Sequence, residues 1–178
     1  MIPIPGVVIA VLTFPGVIVH EAAHLIFCRL AGLAVFAVCF FRIGNPAGYV
    51  IHEPPATYRA SFAVSMGPFL VNSVLCVAFC SAGLLPVWEL KLPDPVAYFF
   101  LWLGLSIGMH AFPSAQDLKP LFAGALPAIR SGSLVAIVGL PLIAVLWVGN
   151  LLRFFWADLL YGVAIGLALP AWLLERAI

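Results

Sequence analysis

Apolar residues run along the chain in long blocks, and most polar residues fall between them. A helix needs about 20 predominantly apolar residues to cross a bilayer, and five blocks predict such helices. The first runs from about Ile4 to Phe27 and stops near Arg29. The others cover about Arg59 to Leu85, Val96 to Phe112, Ser131 to Leu152 and Phe155 to Leu174. Pro86 to Pro95 is a short polar link, and the third block ends at Pro113-Ser114-Ala115-Gln116-Asp117. The stretch from Ala34 to Tyr58 differs from these blocks. It is rich in Val and Phe, and it is broken at Gly44-Asn45-Pro46-Ala47-Gly48 and again at Pro54-Pro55. That pattern predicts two short strands around a turn, followed by a breaker. The expected fold is an all-α polytopic membrane protein: one transmembrane domain over residues 1–178, about five transmembrane helices, and a short membrane-associated β-hairpin between helices 1 and 2.

Composition supports a lipid environment. The chain is 65% hydrophobic and only 8% charged, with a mean hydropathy of +1.19, whereas soluble domains carry about 25% charged residues. A net charge of +1 gives no reason to expect a nucleic-acid partner. The opening segment MIPIPGVVIAVLTFPGVIV lacks the positive region of a signal peptide and is expected to be a retained membrane helix. Cys28, Cys39, Cys76 and Cys80 lie in apolar runs, match no zinc-ribbon or redox spacing, and read as small packing residues.

Loop charge predicts orientation. With five spans, Arg29, Arg42, Arg59, Lys119, Arg130 and Arg176 fall on one side, and Lys91 and Arg153 on the other. The richer side is expected to be cytoplasmic, with the N-terminus outside and the C-terminus inside. This threading brings the ends of helices 1 and 3 to the same cytoplasmic level.

Within the first block lies His20-Glu21-Ala22-Ala23-His24, an H-E-x-x-H motif. Residues four apart share a helix face, so His20 and His24 can hold one zinc ion together. Glu21 can then act as general base on a water at that metal. Three ionisable groups in a membrane helix are costly unless something compensates, and such groups mark function. The plain alternative is two buried histidines bonded to backbone carbonyls. A catalytic zinc site takes three protein ligands. Asp117 is the leading candidate for the third, because the topology brings it to the same depth. His110 is the rival, and His52 and Glu53 are weaker candidates. Asn72 is either an interhelical hydrogen-bonding group or a donor to a substrate carbonyl and its developing oxyanion. Gly67-Pro68 predicts a local kink and close helix contact, and the hairpin offers an edge to an extended peptide.

Taken in order, these features resemble the site-2 protease family of intramembrane zinc metalloproteases. They are HEAAH in a first core helix, Gly67-Pro68 followed by Asn72 in the second, and Asp117 after the third. The match covers about Thr13 to Leu121. It implies a catalytic core over about 4–121, with additional C-terminal helices over about 131–174. It also implies that His20, His24 and Asp117 hold zinc, that Glu21 is catalytic, and that Asn72 assists substrate binding. The run M-H-A-F-P-S-A-Q-D-L departs from the family's N-x-x-P-x-x-x-L-D-G. Pro113 and Asp117 are one residue closer together, and no glycine follows.

The sequence therefore reads as a zinc-dependent intramembrane endopeptidase acting on membrane-protein or peptide substrates, with its active site towards the cytoplasm. A second reading is a non-proteolytic metal-binding membrane scaffold. A third is a haem-binding electron carrier using His20 or His24 with His110. Glu21 speaks against it, since haem ligation needs no intervening carboxylate.

Overall fold

The structure, a computed structural model, describes residues 6–92 and 94–177. The expected start of the first span at Ile4 lies outside them.

The first apolar block forms two helices, α1 (Gly6–Leu12) and α2 (Phe14–Leu30), bent by 86° at Thr13. Pro15 explains the break. It has no N–H to donate to the preceding turn, and it sits in the first turn of α2, where a proline is tolerated. The Thr13 hydroxyl donates to the Ile9 carbonyl at 2.7 Å, and the Gly16 N–H takes up the Thr13 carbonyl at 3.0 Å.

The predicted hairpin is present, as β1 (Val35–Cys39) and β2 (Tyr49–His52). The strands pair antiparallel, with Cys39 opposite Tyr49, Val38 opposite Val50 and Ala37 opposite Ile51; the register breaks between Val35 and Ala37. Arg42 braces the turn. Its N–H donates to the Ala47 carbonyl at 2.7 Å and its Nε to the Pro46 carbonyl at 2.9 Å, while its guanidinium lies 5.2 Å from the centre of the Tyr49 ring.

Helix α3 (Tyr58–Leu84) starts at a Thr57 cap that accepts the Ala60 N–H, and continues into a wider turn over Leu85–Glu89. After it come α4 (Pro95–Met109), capped by Asp94, and α5 (Ala115–Arg130), capped by Ser114. Helix α6 (Leu134–Leu151) leads through a tight turn at Leu152–Phe155 into α7 (Ala157–Val163). A wider turn at Ala164–Ala168 connects α7 to α8 (Leu169–Ala177).

The expectation of about five spans is corrected. Among the described residues two helices are long and apolar enough to cross a membrane, Tyr58–Val87 and Leu134–Leu151, or three if the bent α1–α2 pair counts as one span. The third block yields only the 15 residues of α4, short of the ~20 a crossing needs. The fifth block begins late, because Trp156 adopts a left-handed φ of 62° that separates the Leu152–Phe155 turn from α7.

Helix α5 was not anticipated. Leu118, Leu121, Ala125 and Ala128 are its buried residues, and their spacing marks one helical face. Leu118 and Leu121 join Met66, Ile143 and Leu146 in a core shared by α3, α5 and α6. Helix α3 is central and packs against α2, α4, α5 and α6. Elsewhere, small residues let backbones meet. A Cβ on Gly16 would clash with the Ser106 carbonyl oxygen, so α2 and α4 approach each other there across a glycine. Cys76 and Cys80 are fully buried against Gly104 and Gly108 of α4 and against Gly166. Close approach through small residues is the usual means of helix association in lipid.

Candidate metal centre

His20 and His24 project from one side of α2, with ring centroids 4.9 Å apart. The Nδ1 of His20 lies 2.7 Å from the His110 carbonyl oxygen, and the Nδ1 of His24 lies 3.0 Å from that of Val64. A carbonyl only accepts, so each Nδ1 carries the proton and donates. In a neutral imidazole this leaves Nε2 as a bare lone pair, the arrangement found in metal-ligating histidines.

Asp117 arrives from the first turn of α5. Its Oδ2 accepts the Ser114 backbone N–H at 2.7 Å and the Ser114 hydroxyl at 2.6 Å. Its backbone N–H in turn donates to Ser114 Oγ at 3.3 Å, which completes a reciprocal capping box. Oδ1 is left facing α2, 3.4 Å from Nε2 of His24, and Oδ2 is 4.0 Å from Nε2 of His20. Burial alone would raise the Asp117 carboxyl. The two Ser114 hydrogen bonds to Oδ2 favour the ionised form against that.

The ligand atoms of His20, His24 and Asp117 all lie within 4.8 Å of one another, the only such group of His, Cys, Asp or Glu among the described residues. Donors about 2.1 Å from a tetrahedral ion sit roughly 3.4 Å apart, so this trio needs only small side-chain shifts to close on one. Two neutral imidazole lone pairs and one ionised carboxylate fit a divalent metal ion.

Glu21, on the same helix, is buried and makes no hydrogen bond among the described residues. The hairpin turn presses on it: a Cβ on Gly48 would come 2.6 Å from Glu21 Cγ and 3.1 Å from Cδ. Two cavities flank this point. One, about 630 Å³, lies under α1 and the turn and is lined by Val7, Val17 and Phe112 among others. The second, about 400 Å³, lies towards β2 and α5, beside His24, His52 and Asp117. His20 and Glu21 line both.

The rival ligands lie outside the group. The Nε2 of His110 is 2.8 Å from Thr13 Oγ1. Because that hydroxyl donates to Ile9, the His110 ring donates to it. The His110 carbonyl is what meets His20 Nδ1. His52 donates from Nδ1 to the Glu53 carbonyl at 2.8 Å, and Glu53 accepts the Ala34 N–H at 3.5 Å.

Asn72 takes the interhelical role of its two expected ones. It is fully buried, and its Nδ2 lies 3.1 Å from both the Ile107 and His110 carbonyls and 3.3 Å from that of Gly16. With its donors turned to backbone and its side chain outside both cavities, this geometry offers nothing to a substrate carbonyl.

Sequence reasoning did not identify Ser114 as the anchor of Asp117 or Gly48 as the neighbour of Glu21. The first had a signal, the spacing S-x-x-D at a helix start. The second had none, since it depends on where the turn docks.

No protein-family model, curated protein or solved structure matches this chain. The likeness to the site-2 protease family therefore rests on the motif residues alone.

Proposed function

We propose that this chain is a zinc-dependent intramembrane endopeptidase of the site-2 protease type, cutting peptide bonds in or near transmembrane segments of its substrates. The observation that carries this reading is the convergence of His20 Nε2, His24 Nε2 and an Asp117 oxygen within 4.8 Å, beside the buried carboxyl of Glu21 and between two cavities. Zinc held by that trio supplies Lewis acidity towards a water and a peptide carbonyl. His20, His24 and Asp117 hold the ion, and the backbone bonds to the two Nδ1 atoms fix the imidazole orientations. Glu21 takes the proton of the attacking water and returns it to the leaving amine. A substrate segment lies along the two cavities with its scissile bond at His20 and Glu21, beneath the 44–48 turn.

The same reading places the site on the cytoplasmic side. Arg29, Arg42, Arg59, Lys119 and Arg130 flank the hairpin and α5, and Lys/Arg-rich connections stay in the cytoplasm. If the bent α1–α2 pair crosses as one span, the N-terminus is then outside, which a reporter fused to it tests.

Metal analysis of the purified protein, paired with turnover of a membrane-helix substrate in detergent, tests the function. The expected result is one zinc per chain with turnover, and neither in a His20→Ala/His24→Ala variant. Zinc without turnover across a broad substrate panel would favour the metal-binding scaffold instead.

A further inference from the structure

Asn72 is fully buried in the bundle, and it shares the His110 carbonyl with His20. Its position relative to one carbonyl gives it a role. His110 caps the C-terminal end of α4, where carbonyls have no partner within the helix. Its oxygen accepts from two groups at once, Nδ1–H of His20 at 2.7 Å and Nδ2–H of Asn72 at 3.1 Å. A second contact from the same Nδ2, to Ile107 at 3.1 Å, holds the preceding turn of α4, and a third, to Gly16 at 3.3 Å, holds the helix that carries His20.

We infer that Asn72 is a positioning residue for the ligand His20: its amide fixes the His110 carbonyl at the point where that carbonyl orients the His20 ring. This rests on the metal-centre reading above. Three features point the same way. The carboxamide orientation is set by chemistry, because turning it over would aim its oxygen at three carbonyl oxygens. Its own Oδ1 is buried with no hydrogen-bond partner among the described residues, so self-satisfaction does not explain an Asn here; an apolar side chain would fill the space without a stranded polar atom. The three carbonyls it touches belong to the two helices whose relative placement sets the His20–His110 bond. A carbonyl partner of a ligating histidine fixes both tautomer and ring orientation, and losing such support typically weakens metal binding 10–100-fold.

The test uses full-length protein in detergent, with Co²⁺ as the spectroscopic probe. The variants are Asn72→Ala and Asn72→Leu, the latter so that a cavity is not the cause of any change. Ser106→Ala is the control, since Ser106 is equally buried in the same interface and its hydroxyl also lacks a partner. The expected result is a Co²⁺ affinity about 10–100-fold weaker in both Asn72 variants, with altered visible absorption bands, while Ser106→Ala keeps the wild-type spectrum and affinity. Wild-type spectrum and affinity in the Asn72 variants would overturn the inference. So would an equal loss in Ser106→Ala, because interface packing would then be the cause. Wild-type protein that takes up no Co²⁺ would instead remove the metal-centre reading itself, and the inference with it.

Discussion

Ser114 occupies one oxygen of Asp117 and leaves the other for His24. Both its backbone N–H and its hydroxyl bind Oδ2, at 2.7 and 2.6 Å, while Oδ1 stands 3.4 Å from the His24 Nε2. A helix cap thus doubles as the anchor of a candidate metal ligand. Asp117→Ala should bring metal content to a small fraction of one per chain. Ser114→Ala should retain the metal but bind it about 10–100-fold more weakly, with a helix-cap loss of about 1 kcal/mol. Chelator competition reads the first effect and thermal unfolding the second. Wild-type affinity in Ser114→Ala would separate the cap from the site.

Glu21→Gln keeps side-chain size and removes the proton acceptor. Zinc content should stay at the wild-type level while turnover falls by roughly 10²–10⁴-fold, the usual share of general acid–base catalysis. Metal analysis beside turnover measures both. Undiminished turnover would rule out Glu21 as the base.

Gly48→Ala tests the contact between the turn and Glu21. The added Cβ would sit 2.6 Å from Glu21 Cγ and 3.1 Å from the Cys39 carbonyl oxygen, so either the turn or the carboxyl must move. Turnover should drop on the order of 10²-fold, the scale of a 1 Å misplacement, with metal content unchanged. Gly44→Ala, whose nearest neighbour would be Arg42 Nε at 3.9 Å, should behave as wild type.

The α3 cysteines offer a test of packing away from the site. A Cβ on Gly166 would lie 2.8 Å from Cys80 Sγ and 2.9 Å from Cys76 Sγ. Gly166→Ala should lower thermal stability in detergent by about 1–3 kcal/mol. Combining it with Cys76→Ala and Cys80→Ala should cost less than the sum of the separate changes, because the sulfurs are what it strikes. Strict additivity would show that the contact is absent.

The parts of this fold that were legible in the sequence are those set by local periodicity. The four-residue spacing of His20 and His24 placed them on one face of a helix whatever surrounds them. The Val- and Phe-rich runs around Gly44–Gly48 gave the hairpin, because glycine and proline punctuate strands directly. Threading through the membrane suggested that Asp117 meets the histidines, though not how it is held. Span counting failed where hydropathy alone was used. Phe112 belongs to an apolar block, but the helix ends at Met109, and Pro113 and the Ser114 cap restart the chain as α5. Asn72 was ambiguous for a different reason: an asparagine in a membrane helix must find partners, and only the fold says whether they are backbone or substrate.

The shortness of α4 bears on water supply. Fifteen residues rise about 22 Å, against a hydrocarbon layer of about 30 Å. If α4 starts at one face of that layer, its end at His110 stops roughly 8 Å short of the other, and the chain continues there with Ser114, Gln116 and Asp117. On the proposed reading this segment would form a polar notch in the apolar slab beside His20. Hydrolysis consumes one water per bond broken, and such a notch would let bulk solvent meet the reacting groups where surrounding lipid would exclude it.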